Sequence, residues 1–595
     1  MATLGDNARA VLERRYLLRD DQGSLREDPA GLFRRVARAV AEAEPAAGRA
    51  ARAERFEARL AALEFLPNSP TLMNAGRPQG QLAACFVLPV DDDLGSIFDA
   101  LKWAAIIHQS GGGTGFAFSR LRPRGDLVRT THGVASGPVS FIRVYDAATE
   151  TIKQGGVRRG ANMAVLRVDH PDVQEFVEAK RGPGLQNFNI SVAVTDEFMR
   201  AAAAGGRLTL RHPRSGAPAG EVDARDLFRR IAAAAWESGE PGLVFLDQVE
   251  AANPTPDLGP IEAVNPCGEQ PLLPFEACTL GSVNLSRFGR EGKLDRDGLA
   301  ACVRDGVRFL DDVLTVNAWP LPEIAEISRR NRKIGLGVMG WADLLVELGL
   351  PYDAPEALSL AVEVMGFVAR EAQGESQALA AERGPFPGWP SSAPAHRGEP
   401  PRRNATVTTV APTGTLSVVA GCSSGIEPLF AVAYVRHALG DVELPEEHPQ
   451  LRERLRRAGA LRALDAIRSL GRARGVPGVP EAVQRVFATA HDVAPEDHVR
   501  MQAAFQRHVD NGVSKTINLP RGATVEAVER AFRLAHELGC KGITVYRDGS
   551  REGQVLVSGT ARDGDACPAC GAPMMRSGGC LTCRACGYAT CETTS

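Results

Sequence analysis

From about residue 65 to residue 555 the chain alternates between two hydrophobic periods. Short apolar runs such as AACFVLPV, GLVFL, ATVTTV and GITVY predict buried strands. Between them, SIFDALKWAAIIHQ, LAACVRDGVRFLDDVLTV and TVEAVERAFRLAHELG repeat apolar residues three and four apart, the spacing of a helix with one buried face. Strands and helices in alternation predict an α/β body. Ahead of it, LFRRVARAVAEAE and its surroundings predict a helical N-terminal segment over 1–60, so the body spans 61–555. Within the body, 382–403 is proline-rich and predicts a surface excursion, and 440–500 predicts a charged helical insertion. Residues 556–566 predict a flexible linker and 567–595 a cysteine-rich tail. Glycine-rich turns at QSGGGTGF, KQGGVRRGANM and APTGTLS expose backbone amides where strands hand over to helices, the places where function concentrates.

A length of 595 residues exceeds what one hydrophobic core usually organises. A net charge of −3 lacks the basic excess of a nucleic-acid polymer binder, so an anionic ligand must be met by local groups. The N-terminus has no apolar leader and no run approaches the length of a membrane span, which predicts a cytoplasmic chain without a membrane partner. Of the 12 cysteines, Cys85, Cys267, Cys278, Cys302, Cys422 and Cys540 are scattered and six crowd into 567–591. In a reducing compartment the scattered thiols are expected to be free, catalytic or transiently paired, and the crowded ones to hold metal or exchange thiols.

Residues 265–285 read NPCGEQPLLPFEACTLGSVNL. On an extended segment Asn265, Cys267 and Glu269 share a face, offering an amide, a thiol and a carboxylate to one cavity. Pro266 limits pairing and suits a loop or strand tip. Cys278 follows a proline-punctuated stretch that can return the chain to the same cavity. Buried free cysteine acting as a small hydrophobe is the competing reading.

This segment resembles the active-site finger loop of ribonucleotide reductases, and its wording is most similar to the adenosylcobalamin-dependent, class II, dimeric type. The resemblance runs from NSPTLMNAG at 68 through QLAACFVLPV, GGGTGF, DAATETIKQGGVRRGANM, RRNRKIGLGVMGWADLL, APTGTLS and VSKTINLP to KGITVYRDGSR at 541. It implies a ten-stranded α/β barrel around a central finger loop. It further implies that Cys267 carries a thiyl radical, Glu269 takes the 3′-hydroxyl proton, Asn265 holds the sugar hydroxyls, and Cys85 and Cys278 supply two electrons by closing as a disulfide. Thr413, Gly414 and Thr415 would cradle the substrate diphosphate, with Ser69, Gly112, Gly113 and Leu280 lining the ribonucleotide. Gln154 and Arg158 fall on the loop that couples effector identity to substrate choice. Asp92 and Arg122 match a (d)NTP effector site at a homodimer interface. A plain helix cap competes for Thr413, and a solvated basic loop for Arg158.

Three radical sources serve this family. The six tyrosines include no adjacent pair for a relay to a separate radical subunit, the runner-up reading. RACGY at 584–588 resembles a glycyl radical motif but belongs to a metal-type knuckle. Adenosylcobalamin remains, although no DxHxxG signature marks its surface. No GxxxxGK[ST] occurs, and the GxGxxG at Gly335, Gly337 and Gly340 follows a stretch too charged for a dinucleotide-binding strand, so close strand-to-helix packing is the expected reason for its glycines.

In the tail, Cys567 with Cys570 and Cys583 with Cys586 form two CxxCG knuckles, a spacing that suits tetrahedral zinc and predicts a zinc-ribbon-like fold. Cys580 and Cys591 are then a dithiol that reduces the Cys85–Cys278 disulfide and is renewed by thioredoxin or glutaredoxin; a ligand set using Cys580, with Cys586 and Cys591 as the shuttle, stays open. The rival from another class is a zinc-ribbon protein that binds nucleic acid or senses redox state without the chemistry.

Overall fold

The computed structural model describes residues 2–78, 80–128, 133–154, 158–181, 184–438 and 442–550, together with the backbone of four short strands beyond 555. Three helices, Asp6–Arg15, Pro29–Ala41 and Arg49–Ala61, open the chain. The second starts where Asp28 accepts a hydrogen bond from Gly31 N at 2.7 Å and Pro29 occupies the first turn, a position that needs no amide proton. Its Leu32, Phe33, Val36, Ala37 and Val40 are buried on one stripe, as the helical period requires.

Ten strands hydrogen-bond into one sheet: β1 (Phe65–Pro67), β2 (Cys85–Leu88), β3 (Gly113–Ala117), β4 (Asn162–Arg167), β5 (Phe188–Val194), β6 (Gly242–Phe245), β7 (Ala277–Asn284), β8 (Ile334–Met339), β9 (Thr516–Leu519) and β10 (Gly542–Arg547). Strands β2 to β6 run parallel in that order. A second parallel set begins with β7 and β8 and ends with β9 and β10. The extended run 406–410 links its two parts through parallel bridges, Leu336 to Thr408 and Val410 to Val513. The two sets meet antiparallel at β2 with β7 and at β6 with β10, which closes the sheet into a barrel without free edges between the halves. Strand β1 continues the edge of β7 beyond β2.

Alternation sorts the strand residues. Phe86, Phe116, Phe188 and Leu243 pack outward under the helices, whereas Cys85, Val87, Ala117, Met163, Val165 and Val244 pack inward. The inward set closes on Val264 and Leu272, which belong to a short hairpin whose strands, Ala263–Val264 and Pro271–Leu272, lie inside the barrel. Such an insertion needs narrow walls. A Cβ on Gly115 of β3 would collide with the Val264 carbonyl oxygen, and one on Gly337 of β8 with the carbonyl of Thr409. The glycines of GLGVMG thus differ from expectation: Gly335 and Gly337 make room for Thr409 and Gln270, and Gly340 alone serves the strand-to-helix turn, at φ +74°.

The insertion is less helical than its composition suggests. It opens with an antiparallel hairpin, Ala433–Ala438 with Val442–Glu447, followed by short helices around a separate core that includes Leu451, Leu455, Leu464, Ile467 and Phe487. Leu556–Ser558, placed by sequence in a linker, forms a strand on the edge of this hairpin.

Candidate active site

The hairpin inside the barrel turns over 265–270, and this turn carries the amide, thiol and carboxylate. They do not alternate along a strand. Asn265 and Glu269 are buried, Gly268 takes φ +81° to reverse the chain, and Cys267 stands exposed at the tip. Asn265 ties the turn together: its amide nitrogen donates to Gln270 O at 3.1 Å, its carbonyl accepts from Gly268 N at 3.0 Å, and its Oδ1 accepts from Gln270 N at 2.9 Å. Asn189 Nδ2 holds the Pro266 carbonyl at 2.8 Å. Two neighbours anchor the Glu269 carbonyl, Gly512 N at 2.8 Å and Thr409 Oγ1 at 3.0 Å.

Cys85 and Cys278 are direct cross-strand partners, on β2 and β7, at one of the two seams where the barrel halves meet. Opposed residues in an antiparallel pair have Cα atoms about 4.5–5.5 Å apart, inside the range a disulfide spans. Both are free thiols and buried. The turn faces Cys85: Asn265 Nδ2 lies 3.1 Å from its Sγ, which in turn points at Glu269 Oε1 at 3.9 Å. Cys267 couples electrostatically to Cys85, so three sulfurs and one carboxylate occupy a single neighbourhood.

Burial sets the protonation of this group. It pushes the Glu269 carboxyl up to about 7, against hydrogen bonds that favour the anion, and Glu269 Oε2 has no hydrogen-bond partner. Burial also raises the Cys85 thiol well above its ordinary value, and the Glu269 carboxylate adds to the effect. Cys278 is raised by burial too, but the Lys333 ammonium pulls the other way. A carboxyl near neutrality can take and return a proton; two paired thiols can give up two electrons.

The remaining expected residues fall on several elements. Gly113 borders the tip, where a Cβ would sit 3.0 Å from Pro266 Cγ, whereas Gly112 is packed against Phe86 and Ile107. Leu280 is buried on β7, and its carbonyl accepts from Asn68 N at 2.8 Å. Thr413 holds φ +52° and its Oγ1 accepts from Gly425 N at 2.8 Å; Gly414 next to it has open space where a side chain would be. Ser69 Oγ meets Tyr16 OH at 2.8 Å, and Thr415 Oγ1 accepts from Arg15 Nη1 at 3.2 Å. The N-terminal helix therefore reaches two expected substrate residues, a link sequence reading missed because nothing short-range signals it. Asp92 and Arg122 form an ion pair at 3.0 Å. Gln154 and Arg158 oppose each other on a two-residue hairpin, their side chains outside the described residues. Cys567, Cys570 and Cys586 lie outside the described residues as well, while the backbone of Cys580, Cys583 and Cys591 belongs to a three-stranded ladder. Among the described residues no cluster of His, Cys, Asp and Glu could hold a metal ion, and no helix is long and apolar enough to cross a membrane.

Beside the barrel a cavity of ≈ 1380 Å³ opens between the N-terminal residues, the segment 417–424 and the insertion hairpin. The three sulfurs are not among its lining residues.

Sequence profiles agree with this architecture. The ribonucleotide reductase all-alpha domain matches residues 2–80 and the ribonucleotide reductase barrel domain matches 83–402 and 397–546. The chain belongs to the ribonucleotide reductase family. Relatives include the vitamin B12-dependent ribonucleoside-diphosphate reductases of Mycobacterium tuberculosis (strain CDC 1551 / Oshkosh), 52% identical over 92% of this chain and 80% of the relative, and of Thermoplasma acidophilum, 45% identical over 93% and 80%. The class Id ribonucleotide reductase alpha subunit of Actinobacillus ureae superposes with a TM-score of 0.76 over 92% of this chain and 97% of that one; at 23% identity this speaks for the fold. The reductase barrel and its all-alpha N-terminal domain are thus those expected from sequence.

Proposed function

We propose that the chain reduces ribonucleoside diphosphates to 2′-deoxyribonucleotides by thiyl radical chemistry that depends on adenosylcobalamin, the supply route for DNA synthesis and repair. The observation that carries the reading is the cross-strand pair Cys85–Cys278 directly beneath the turn that holds Cys267 and Glu269. Adenosylcobalamin, once bound, would supply the radical chemistry, with Cys267 as the thiol that carries it. The exposed Cys267 then removes the ribose 3′ hydrogen, and Glu269 accepts the 3′-hydroxyl proton through its unpartnered oxygen. Asn265 steadies the sugar hydroxyls while Cys85 and Cys278 deliver two electrons and close as a disulfide as the 2′-hydroxyl leaves as water.

We read the cofactor onto the cavity beside the barrel, on its size and the polarity of its wall. Its volume exceeds the roughly 300–1,000 Å³ of ordinary ligand pockets, as a corrin ring demands. On its wall Arg287 Nε, Ser423 Oγ and Gln450 Oε1 are buried without hydrogen-bond partners, suited to the amide groups around a corrin. Arg287, Ser423 and Gln450 are the residues that would hold it.

Substrate diphosphate is read onto Thr413, Gly414 and Thr415, with Ser69 and Leu280 alongside. Homodimerisation is supported by apolar side chains left in water on two helices, Leu94 and Phe98 on Leu94–Gln109 and Val144 on Pro138–Thr151. Asp92 lies just ahead of the first of these and is paired with Arg122, where a (d)NTP effector would report to Gln154 and Arg158. In the tail, the knuckles at Cys567, Cys570, Cys583 and Cys586 supply four thiolates for zinc. Cys580 and Cys591 are register partners in the backbone ladder, a placement that suits a dithiol renewed by thioredoxin or glutaredoxin.

Anaerobic incubation of the purified chain with a ribonucleoside diphosphate, a dithiol and adenosylcobalamin is expected to yield deoxynucleotide, and omission of the cofactor to abolish it. Turnover that ignores adenosylcobalamin and requires a second protein would instead favour the radical-subunit reading.

A further inference from the structure

The two thiols of the cross-strand pair sit in different electrostatic surroundings: carboxylates act on both, and a cation on Cys278. Cys85 faces the Glu269 carboxyl at 3.9 Å and keeps 4% exposure. Cys278 is fully enclosed, and its neighbour across the β7–β8 ladder is a cation: Thr279 pairs with Ile334, so Lys333 stands one step back, beside Cys278. The Lys333 ammonium lies 2.6 Å from Glu276 Oε2, and both side chains are 1% exposed. Glu276 is also held by Leu273 N at 2.8 Å and by Asn331 Nδ2 at 2.6 Å, which spreads its negative charge over three donors.

We infer that re-reduction of the Cys85–Cys278 disulfide begins with attack on Cys85, and that Lys333 is the positioning residue that makes Cys278 the departing sulfur. This rests on the redox pair assigned above. An incoming thiolate forms an S–S bond to Cys85 Sγ, the Cys85–Cys278 bond breaks heterolytically, and its electron pair leaves on Cys278 Sγ beside the Lys333 ammonium. A second thiol then displaces the mixed disulfide from Cys85, so two thiols are oxidised to one disulfide as the pair is reduced. Attack on Cys278 would instead place the electron pair on Cys85 against a carboxylate and would require access to a fully enclosed sulfur. Thiol–disulfide exchange favours the less enclosed sulfur as target and the better-stabilised thiolate as leaving group; Cys85, next to the turn that carries the exposed Cys267, meets the first criterion and Cys278, beside Lys333, the second. On Cys278 the pull of Lys333 outweighs the push of Glu276 or of Glu269 taken singly, whereas the charges acting on Cys85 all push it up.

The test uses the full chain after one anaerobic turnover without external reductant. Glutathione, a monothiol that halts at the mixed disulfide, is added briefly; the reaction is quenched in acid, alkylated and mapped by mass spectrometry. The adduct is expected on Cys85 in at least about tenfold excess over Cys278. An adduct on Cys278, or an even split, overturns the inference while leaving the redox pair standing; absence of any Cys85–Cys278 disulfide after turnover overturns both. Lys333→Met should slow glutathione attack by about tenfold and Lys333→Arg should restore it. An unchanged rate in a folded Lys333→Met chain removes Lys333 from the mechanism, and should that variant not fold, the adduct site in the natural chain still decides the direction of attack.

Discussion

Glu269 shows how one buried atom pair sets both chemistry and stability. Its carboxyl is held up at about 7 by burial, so the base form needed to accept a proton grows in as pH rises through neutrality. Pre-steady-state reduction should climb with a limb near pH 7, and Glu269→Gln should lose at least about a hundredfold in rate at every pH. The same shift carries a stability signature of defined sign. A group whose folded pKa lies above its unfolded value of 4.5 contributes stability below pH 4.5 that is lost as pH rises through 7. Glu269→Gln should therefore match the natural chain near pH 4 and exceed it by about 3 kcal/mol at pH 8 in denaturant titrations. Equal stabilities at pH 8 would show that the carboxyl is not strained by burial.

At the scale of elements, the hairpin inside the barrel depends on walls without side chains. Gly115→Ala would drive a methyl group into the Val264 carbonyl, and the hairpin must shift for the strand to keep its register with β4. The expected result is a loss of about 1–3 kcal/mol in stability together with a larger loss of turnover, since Cys267 moves with the hairpin. An active, fully stable Gly115→Ala chain would mean that the hairpin is not confined as described. This packing also explains what sequence could and could not reveal. The strands were legible as short continuous apolar runs because they are buried on both faces, as at Cys85–Leu88; the helices were legible from their buried stripes. Asn265, Cys267 and Glu269 were legible as a group, but for the wrong geometric reason, because they meet through a turn rather than on a strand face. The glycines at 335 and 337 were visible and misassigned, since their partners Thr409 and Gln270 are set by tertiary closure alone. The insertion hairpin at 433–447 hid behind a composition rich in alanine and charge, which favours helix locally but yields to pairing.

For the whole molecule, the helical segment and the barrel are locked by a buried charge cluster. Glu44, beyond the second helix, accepts from Arg308 Nε at 2.5 Å and is ion-paired with Arg383 Nη2 at 2.8 Å. Burial alone would raise its carboxyl, yet Arg308 and Arg383 hold it down to about 2. Its contribution is present above pH 4.5 and fades as pH falls toward 2. Glu44→Ala removes the carboxylate that joins the two parts, leaving Arg308 with Glu382 and Arg383 with Asp311 and Asp312, and should cost about 1–3 kcal/mol, seen as faster proteolytic cleavage ahead of Phe65 at neutral pH. Because Arg15 and Tyr16 reach Thr415 and Ser69 across this boundary, the same variant should weaken substrate binding as well. Proteolysis at the natural rate would show that the cluster does not lock the two parts.

In the proposed mechanism three sulfurs act as one reducing centre. The most direct test is a single anaerobic turnover of the pre-reduced full chain with a ribonucleoside diphosphate and adenosylcobalamin, without external reductant, followed by alkylation and peptide mapping. The account predicts deoxynucleotide accompanied by a disulfide between Cys85 and Cys278, and neither product nor disulfide from Cys267→Ser. Deoxynucleotide formed while Cys85 and Cys278 remain free thiols would contradict it.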